Sequence, residues 1–397
     1  MRICVVYDCL FPHTVGGAER WYRNLAERLA AEGHEVTYLT LRQWERGERV
    51  QVPGVRVLSV GPRLGLYTAD GRRRIWPPLV FGAGVLWHLL RHGRRYEAVH
   101  SASFPYFSLL AAALARPLGR YRLVVDWHEV WSDSYWREYL GPIGGPIGAL
   151  VQRLCARARQ HAFCFSELHA RRLRGEGLRG EVTMLRGEYS GSLEPTPARP
   201  AAAAATVVFA GRLIPEKRAP LAVAALARAT ESIAGLRGEL YGDGPEREAV
   251  REAIAAEGLS ETVSAPGFVA GERIEQALGE AMCMLSTSRR EGYGLIVVEA
   301  AARGTPSVVV AGEDNAATEL IEEGVNGFVA PDADPRTIAA AIVRVHEAGT
   351  ALRQSTAGWF AANARRLSLE DSLRVVLGSY SGGASADSEA AGPSARA

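Results

Sequence analysis

The stretch RREGYGLIVVEAAARGTPSVVV, Arg289 to Val310, decides the fold. A turn punctuated by Gly292 and Gly294 leads into an apolar run that suits a helix starting near Leu295. After Gly304 and Pro306 comes SVVV, too short for a helix and β-branched enough for a buried strand. Loop, helix and strand in that order are one half-turn of a parallel α/β sheet. Upstream the same alternation recurs. TVVFA (206–210), GELYG (238–242), TVSAPGF (262–268) and CMLSTS (283–288) read as strands, separated by helical patterns at about 220–230, 245–257 and 272–281.

The first half of the chain repeats the architecture with different words. ICVVY (3–7), EVTYLT (35–40), AVHSA (98–102), LVVDW (123–127) and AFCFS (162–166) are strands. Ala18 to Glu32 is a helix, with Trp21, Leu25, Ala26 and Leu29 at helical spacing and Gly33 just past its end. Between the halves lies EPTPARPAAAAA, which has neither periodicity and marks a linker at 194–205. The expected organisation is a first Rossmann-like domain at 1–193, a second at 206–360, helices at 361–380 returning to the first, and a Ser/Gly/Ala-rich disordered tail at 381–397. This is an α/β fold in which the carboxyl ends of two sheets face one central cleft, where open α/β sheets bind ligands.

Composition narrows the function. A chain of 397 residues exceeds what one core usually holds, and 46 basic against 44 acidic residues leave a formal charge of +2, so nucleic acid is not suggested. The five cysteines, Cys4, Cys9, Cys155, Cys164 and Cys283, have no metal or disulfide spacing, which fits a reduced cytoplasmic setting. The amino terminus MRICVVYDCLFPH reads as a strand and not a signal peptide, and the apolar run from Leu79 to Leu90 is too short to cross a bilayer. Of the 46 basic residues, 45 are arginine; the single lysine is Lys217.

Three stretches carry chemistry. In the opening segment, the backbone N–H groups of Gly292 to Ile296 lie at a helix start, ready for an anion, with Glu291 before the turn and Glu299 one turn into the helix, where a carboxylate can accept from ribose hydroxyls. In GRLIPEKR, 211–218, Arg212 and Lys217 flank a proline turn, so a planar fork and a point charge can reach one anion. In VGGAER, 15–20, Gly16 and Gly17 allow backbone to approach a ligand.

These pieces, with DWHEVW (126–131), LYGDGPER (240–247), PGFV (266–269) and GVNGFVAPD (324–332), resemble glycosyltransferase family 4, the retaining, sugar-nucleotide-dependent enzymes of GT-B fold. The resemblance implies a donor such as a UDP- or GDP-sugar and no further cofactor. Arg212 and Lys217 would hold its diphosphate. Glu299 would bind the ribose. Glu291 with the amides of Gly292, Tyr293, Gly294 and Leu295 would grip the sugar and distal phosphate, Gly16 and Gly17 would let the first domain close, and His128 would sit beside the transferred sugar. LRGEYSG at 185–191 departs from the family's Asn-Gly turn and bears on hinging.

Several alternatives stay open. Asp332-Ala333-Asp334 matches a metal-binding signature of another glycosyltransferase fold, but its place before Pro335 fits a helix cap, and no metal is expected. Trp127, Trp131 and Trp136 either stack on an acceptor or pack in the core. The segment 71–95 either covers the first sheet or lies on a membrane surface. The expected reaction moves a sugar to the hydroxyl of a small cytoplasmic acceptor or natural product. Its rivals are a lipid-linked glycan or cell-wall transferase at the inner membrane face, a sugar-nucleotide epimerase and a noncatalytic partner subunit.

Overall fold

The computed structural model describes all residues except 15, 46, 49, 67, 69–72, 195–204 and 381–397. The linker, apart from its end residues, and the tail therefore lie outside the described residues.

The first domain runs β1 (Arg2–Val6), α1 (Gly17–Ala31), β2 (Glu35–Thr40), β3 (Val55–Ser59), α2 (Trp76–His92), β4 (Ala98–Ala102), α3 (Tyr106–Gly119), β5 (Arg122–Trp127), α4 (Asp133–Ala156), β6 (Gln160–Cys164), α5 (Glu167–Gly175) and β7 (Gly180–Met184). All its strands are parallel, in the order β3-β2-β1-β4-β5-β6-β7. The second domain runs β8 (Thr206–Ala210), α6 (Ala219–Ala229), β9 (Arg237–Tyr241), α7 (Arg247–Ala256), β10 (Val263–Gly267), α8 (Gly271–Glu280), β11 (Cys283–Ser286), β12 (Arg290–Glu291), α9 (Leu295–Ala301), β13 (Ser307–Val310), β14 (Asp314–Asn315) and β15 (Gly327–Ala330). Its main sheet, β10-β9-β8-β11-β13-β15, has the same order of crossovers. In both sheets the chain reverses direction beside the first strand, and a ligand cleft forms at that switch point.

The two strands that escaped the sequence reading in the first domain, β3 and β7, are the sheet edges, where one-sided pairing leaves the pattern half-buried and weakly hydrophobic. The core of the first domain gathers β1, β4 and β5 with Trp21, Tyr22 and Leu25 of α1.

The chain then crosses back. In α10 (Pro335–Asn363) the backbone breaks at Gly349, φ 54°; residues before the break pack in the second core, while Phe360 and, from α11 (Leu369–Tyr380), Leu373, Val376 and Tyr380 pack in the first. The Asp334 carboxylate accepts from the Arg336 amide at 2.9 Å, and Asp332 accepts from the Asp334 amide and the Thr337 hydroxyl at 3.0 and 2.7 Å. These aspartates cap the helix. Right-handed crossovers place α1 and α11 on one face of the first sheet and α2, α3 and α4, packed side by side, on the other.

Candidate active site

A cleft of about 640 Å³ lies between the two sheets at their carboxyl ends. Its first-domain wall comes from the segments after β1 (Tyr7, Gly16, Gly17), after β4 (Ser103, Phe104) and after β5 (His128, Glu129, Trp131). Its second-domain wall comes from the segment after β8 (Arg212 to Arg218) and from Arg289 to Ile296. Gly16, Gly17, His128, Arg212, Lys217, Glu291, Gly292, Tyr293, Gly294 and Leu295 thus meet in one space, although they span most of the chain. Glu299 does not line it. Burial in α9 pushes its carboxyl up to about 6, with Arg20 opposing, so near neutral pH it is a weakly held anion beside the cleft.

Lys217 Nζ pairs with Glu291 Oε1, across 74 residues of sequence. Burial acts to raise the Glu291 carboxyl, but the Lys217 ammonium and its hydrogen bond outweigh it and hold the group below the usual carboxylate range. Glu291 is therefore a carboxylate at neutral pH, and both partners line the cleft. Arg212 is exposed and, among the described residues, has no carboxylate partner. Arg218, whose Nε donates to the Thr287 carbonyl at 3.0 Å, is a second cation on this wall without a carboxylate partner among the described residues. The glycines have separate reasons. Gly294 takes φ 104° where the chain enters α9, and a Cβ on Gly292 would stand 2.6 Å from the His128 carbonyl oxygen of the opposite domain. A Cβ on Gly16 would stand 2.3 Å from the Glu19 carboxylate. Gly17 has open space there.

His128 rests face to face on Phe165, centroids 4.3 Å apart, with Nδ1 3.4 Å from Glu188 Oε1 and Nε2 without a hydrogen-bond partner. Burial works against its charge, yet the Glu188 bond and the nearby Asp126 carboxylate raise it above the ordinary histidine value. Asp126 is wholly buried and accepts from Trp21 Nε1 at 2.7 Å; its other oxygen is 2.8 Å from His100 Nε2. His100 Nδ1 in turn meets the Tyr380 hydroxyl at 2.6 Å. The returning helix α11 thereby braces the strand that carries His128.

The domains also grip each other. Arg289 pairs with Glu138, Arg290 with Glu129, and Arg172 with Asp314, while the Tyr135 hydroxyl donates to Glu216 at 2.9 Å. Sequence reasoning missed these pairs, since nothing local links an arginine to a glutamate about 150 residues away. His169 is another such contact. Its Nδ1 accepts from the Val130 amide at 3.1 Å, so the neutral ring carries hydrogen on Nε2 and points it at the Glu291 carbonyl, 3.4 Å away. Burial lowers this histidine to about 4.

Two of the three tryptophans suggested for the acceptor are corrected. Trp127 is fully buried and donates to Gln160, and Trp136 is buried against Gly148 with Nε1 on Gln152; neither lines the cleft. The alternation of β5 turns Trp127 inward, and the α4 packing consumes Trp136. Trp131 does line the cleft, but its ring lies under Arg290, 5.0 Å from the guanidinium, and its Nε1 donates to Glu129 at 2.8 Å.

Residues 16–187 match the family described as glycosyl transferase 4-like domain, and residues 204–348 match glycosyl transferases group 1. The chain belongs to the GT4-type glycosyltransferases of GT-B fold. Among curated relatives, this GT4-type chain is 31% identical over 143 residues to the exopolysaccharide phosphotransferase SCO2592 of Streptomyces coelicolor. It is 30% identical over 139 residues to alpha-D-kanosaminyltransferase of Streptomyces kanamyceticus. Each match takes in 35% of this chain, and the two cover 15% and 36% of those proteins' lengths. The solved structure of HepE from Anabaena in complex with UDP superposes with a TM-score of 0.71 at 20% identity, covering 96% of this chain and all of that one. At that identity it speaks for the fold.

Proposed function

We propose that the protein transfers a sugar from a nucleotide diphosphate sugar to an acceptor hydroxyl with retention at the anomeric carbon and without a metal ion. The carrying observation is the second-domain wall, where exposed Arg212, the Lys217 ammonium and the Gly292–Leu295 backbone converge on one cleft. Departure of the nucleotide diphosphate places negative charge on its phosphates. Fixed cations in a partly closed cleft stabilise that charge more in the transition state than in the bound substrate. Glu291 holds Lys217 in place until the diphosphate arrives, and Glu299, within α9 one turn past the cleft-lining Leu295, is the residue assigned to the ribose hydroxyls. His128, with its free Nε2, faces the sugar position. The UDP bound to HepE supports a nucleotide donor by likeness of fold.

For the acceptor, a small hydroxylated molecule in the cytoplasm suits the partly closed cleft of about 640 Å³. A lipid-linked glycan at a membrane surface is the second reading, favoured by the outer face of the first domain described below. Incubation of the purified chain with UDP-, GDP- and dTDP-sugars, followed by mass spectrometry, tests the proposal. Release of free sugar from one donor class, lowered about 100- to 1,000-fold in Lys217→Ala, is expected. A donor isomerised without release points to an epimerase, and tight nucleotide binding with no turnover points to a noncatalytic subunit; either result rejects the proposal.

A further inference from the structure

Three neighbouring helices of the first domain turn apolar side chains outward. On α2, Trp76, Leu79, Trp87 and Leu90 form one stripe at helical spacing, with Trp87 61% exposed. On the second half of α4, Ile143, Ile147, Leu150 and Leu154 form another, and Ile143 is 82% exposed. Leu114 and Leu118 of α3, the helix packed between them, complete the face. With Ile75 these account for eleven of the fourteen large hydrophobic residues exposed among the described residues. A monomer rarely leaves such a surface without a use.

The charge on this layer is equally one-sided. Residues 75–95, 106–122 and 139–160 contain no aspartate or glutamate, in a chain that has 44, and they contain nine arginines. Those arginines sit at the helix ends: Arg91, Arg116 and Arg153 in the last turns of α2, α3 and α4, and Arg94, Arg95, Arg120, Arg122, Arg157 and Arg159 just beyond them. Helices that return along parallel strands end where the strands begin, so the three basic clusters gather at the end of the sheet away from the cleft. Arg116, Arg122 and Arg159 share the border of a shallow recess there with one acid, Glu181. Arg153 is engaged with Glu176, but Arg91, Arg94, Arg95, Arg120, Arg157 and Arg159 are exposed.

We propose that the outer face of α2, α3 and α4 docks on an anionic lipid bilayer, the apolar stripes entering the boundary between headgroups and acyl chains and the arginines meeting lipid phosphates. A second copy of this chain fits the face poorly, because a two-fold contact would bring against each other arginine clusters whose positive charge the nearby Glu176 and Glu181 do not balance. No helix among the described residues is long and apolar enough to cross a membrane, so docking is the mode open to these helices. The cleft opens at the other end of the strands and stays free in the docked protein. The inference deepens the lipid-linked acceptor reading, yet it stands on a surface apart from the cleft and can fail or hold independently of glycosyl transfer.

The test is co-sedimentation of the full chain with vesicles of phosphatidylcholine alone and of phosphatidylcholine with phosphatidylglycerol, at low and high salt. Binding is expected to need the anionic lipid and to weaken with salt. Arg91→Glu/Arg94→Glu/Arg95→Glu should lower the partition coefficient by at least about fivefold per arginine, and Trp87→Glu/Ile147→Glu by about tenfold or more. Arg251→Glu/Arg336→Glu, on the second domain, should leave it unchanged. Donor hydrolysis without vesicles should be the same in all of them, which separates this surface from the site. The inference is overturned if the wild-type chain stays in the supernatant with anionic vesicles or if the face variants bind as wild type. It is also overturned if light scattering shows a dimer that the Trp87→Glu/Ile147→Glu variant dissolves.

Discussion

Replacing Lys217 by alanine is expected to do two separable kinds of damage. In the donor complex it removes a cation from the departing diphosphate, which by comparison with loss of an oxyanion-hole donor costs on the order of 100- to 1,000-fold in turnover. In the empty enzyme it leaves the Glu291 carboxylate, whose side chain is 14% exposed, without its partner. Breaking a fully buried ion pair costs about 3–5 kcal/mol. Here the lysine side chain keeps 22% of its exposure, so water repays part of the loss and about 2 kcal/mol is the expected destabilisation. For domains of this size that lowers the melting temperature by about 4–8 °C.

Adding Glu291→Gln removes the stranded charge, so the double variant should melt higher than Lys217→Ala alone while remaining inactive. The sign with pH follows. The depressed Glu291 carboxyl contributes stability that is present above its unfolded value and is lost as pH falls through its folded one. The melting difference between wild type and Lys217→Ala that comes from this depressed carboxyl should therefore be present above about pH 4.5 and shrink as pH falls below it. Donor hydrolysis followed by mass spectrometry, with scanning calorimetry of all four members of the cycle, measures both effects. Near-wild-type turnover in Lys217→Ala would refute the diphosphate assignment. Additive melting shifts, with no rescue in the double variant, would refute the ion-pair reasoning.

Glu188→Gln should lower the pKa of His128, because the Glu188 contact is the main force raising it against burial. A raised histidine contributes stability below its unfolded value near 6.5 and loses it as pH rises through the folded value, so the variant should melt with a flatter profile above pH 6.5. An imidazole titration by NMR identical to wild type would contradict this. Gly292→Ala puts a methyl group 2.6 Å from the His128 carbonyl oxygen, and should hold the domains apart, cutting turnover by about a hundredfold while enlarging the radius of gyration in X-ray scattering. Asp334→Ala removes a helix cap, at a cost of about 1 kcal/mol, and should leave turnover unchanged. Excess EDTA should leave the wild-type rate unaltered, and activity lost to EDTA and restored by Mn²⁺ would mean that a metal serves the diphosphate after all.

Local pattern was enough wherever one short segment had to do one thing. Buried parallel strands announced themselves as β-branched runs, and Gly292-Tyr293-Gly294 before an apolar helix announced a turn at a strand end. Asp334 before Pro335 announced a cap. Because both sheets fold by the same crossover rule, the cleft and the chain segments on its walls followed from the order of elements. The edge strands β3 and β7 were not legible, since a strand paired on one side need not be continuously apolar.

What only the tertiary structure decided are relations between segments that carry no mark of each other. Lys217 was conspicuous as the lone lysine, but that its partner is Glu291, and that Arg212 is left uncompensated, depends on how the β8 and β11 ends are set side by side. Three tryptophans looked alike in sequence. Strand alternation buried Trp127, the α4 packing buried Trp136, and the closing of the second domain laid Arg290 over Trp131. The arginines and isoleucines of 75–160 were visible one by one, but only the packing of α2, α3 and α4 on one face of the sheet joins them into a surface. Sequence specifies what each side chain prefers over a few residues of chain; which preferences are satisfied is settled by long-range packing, which brings together groups more than a hundred residues apart.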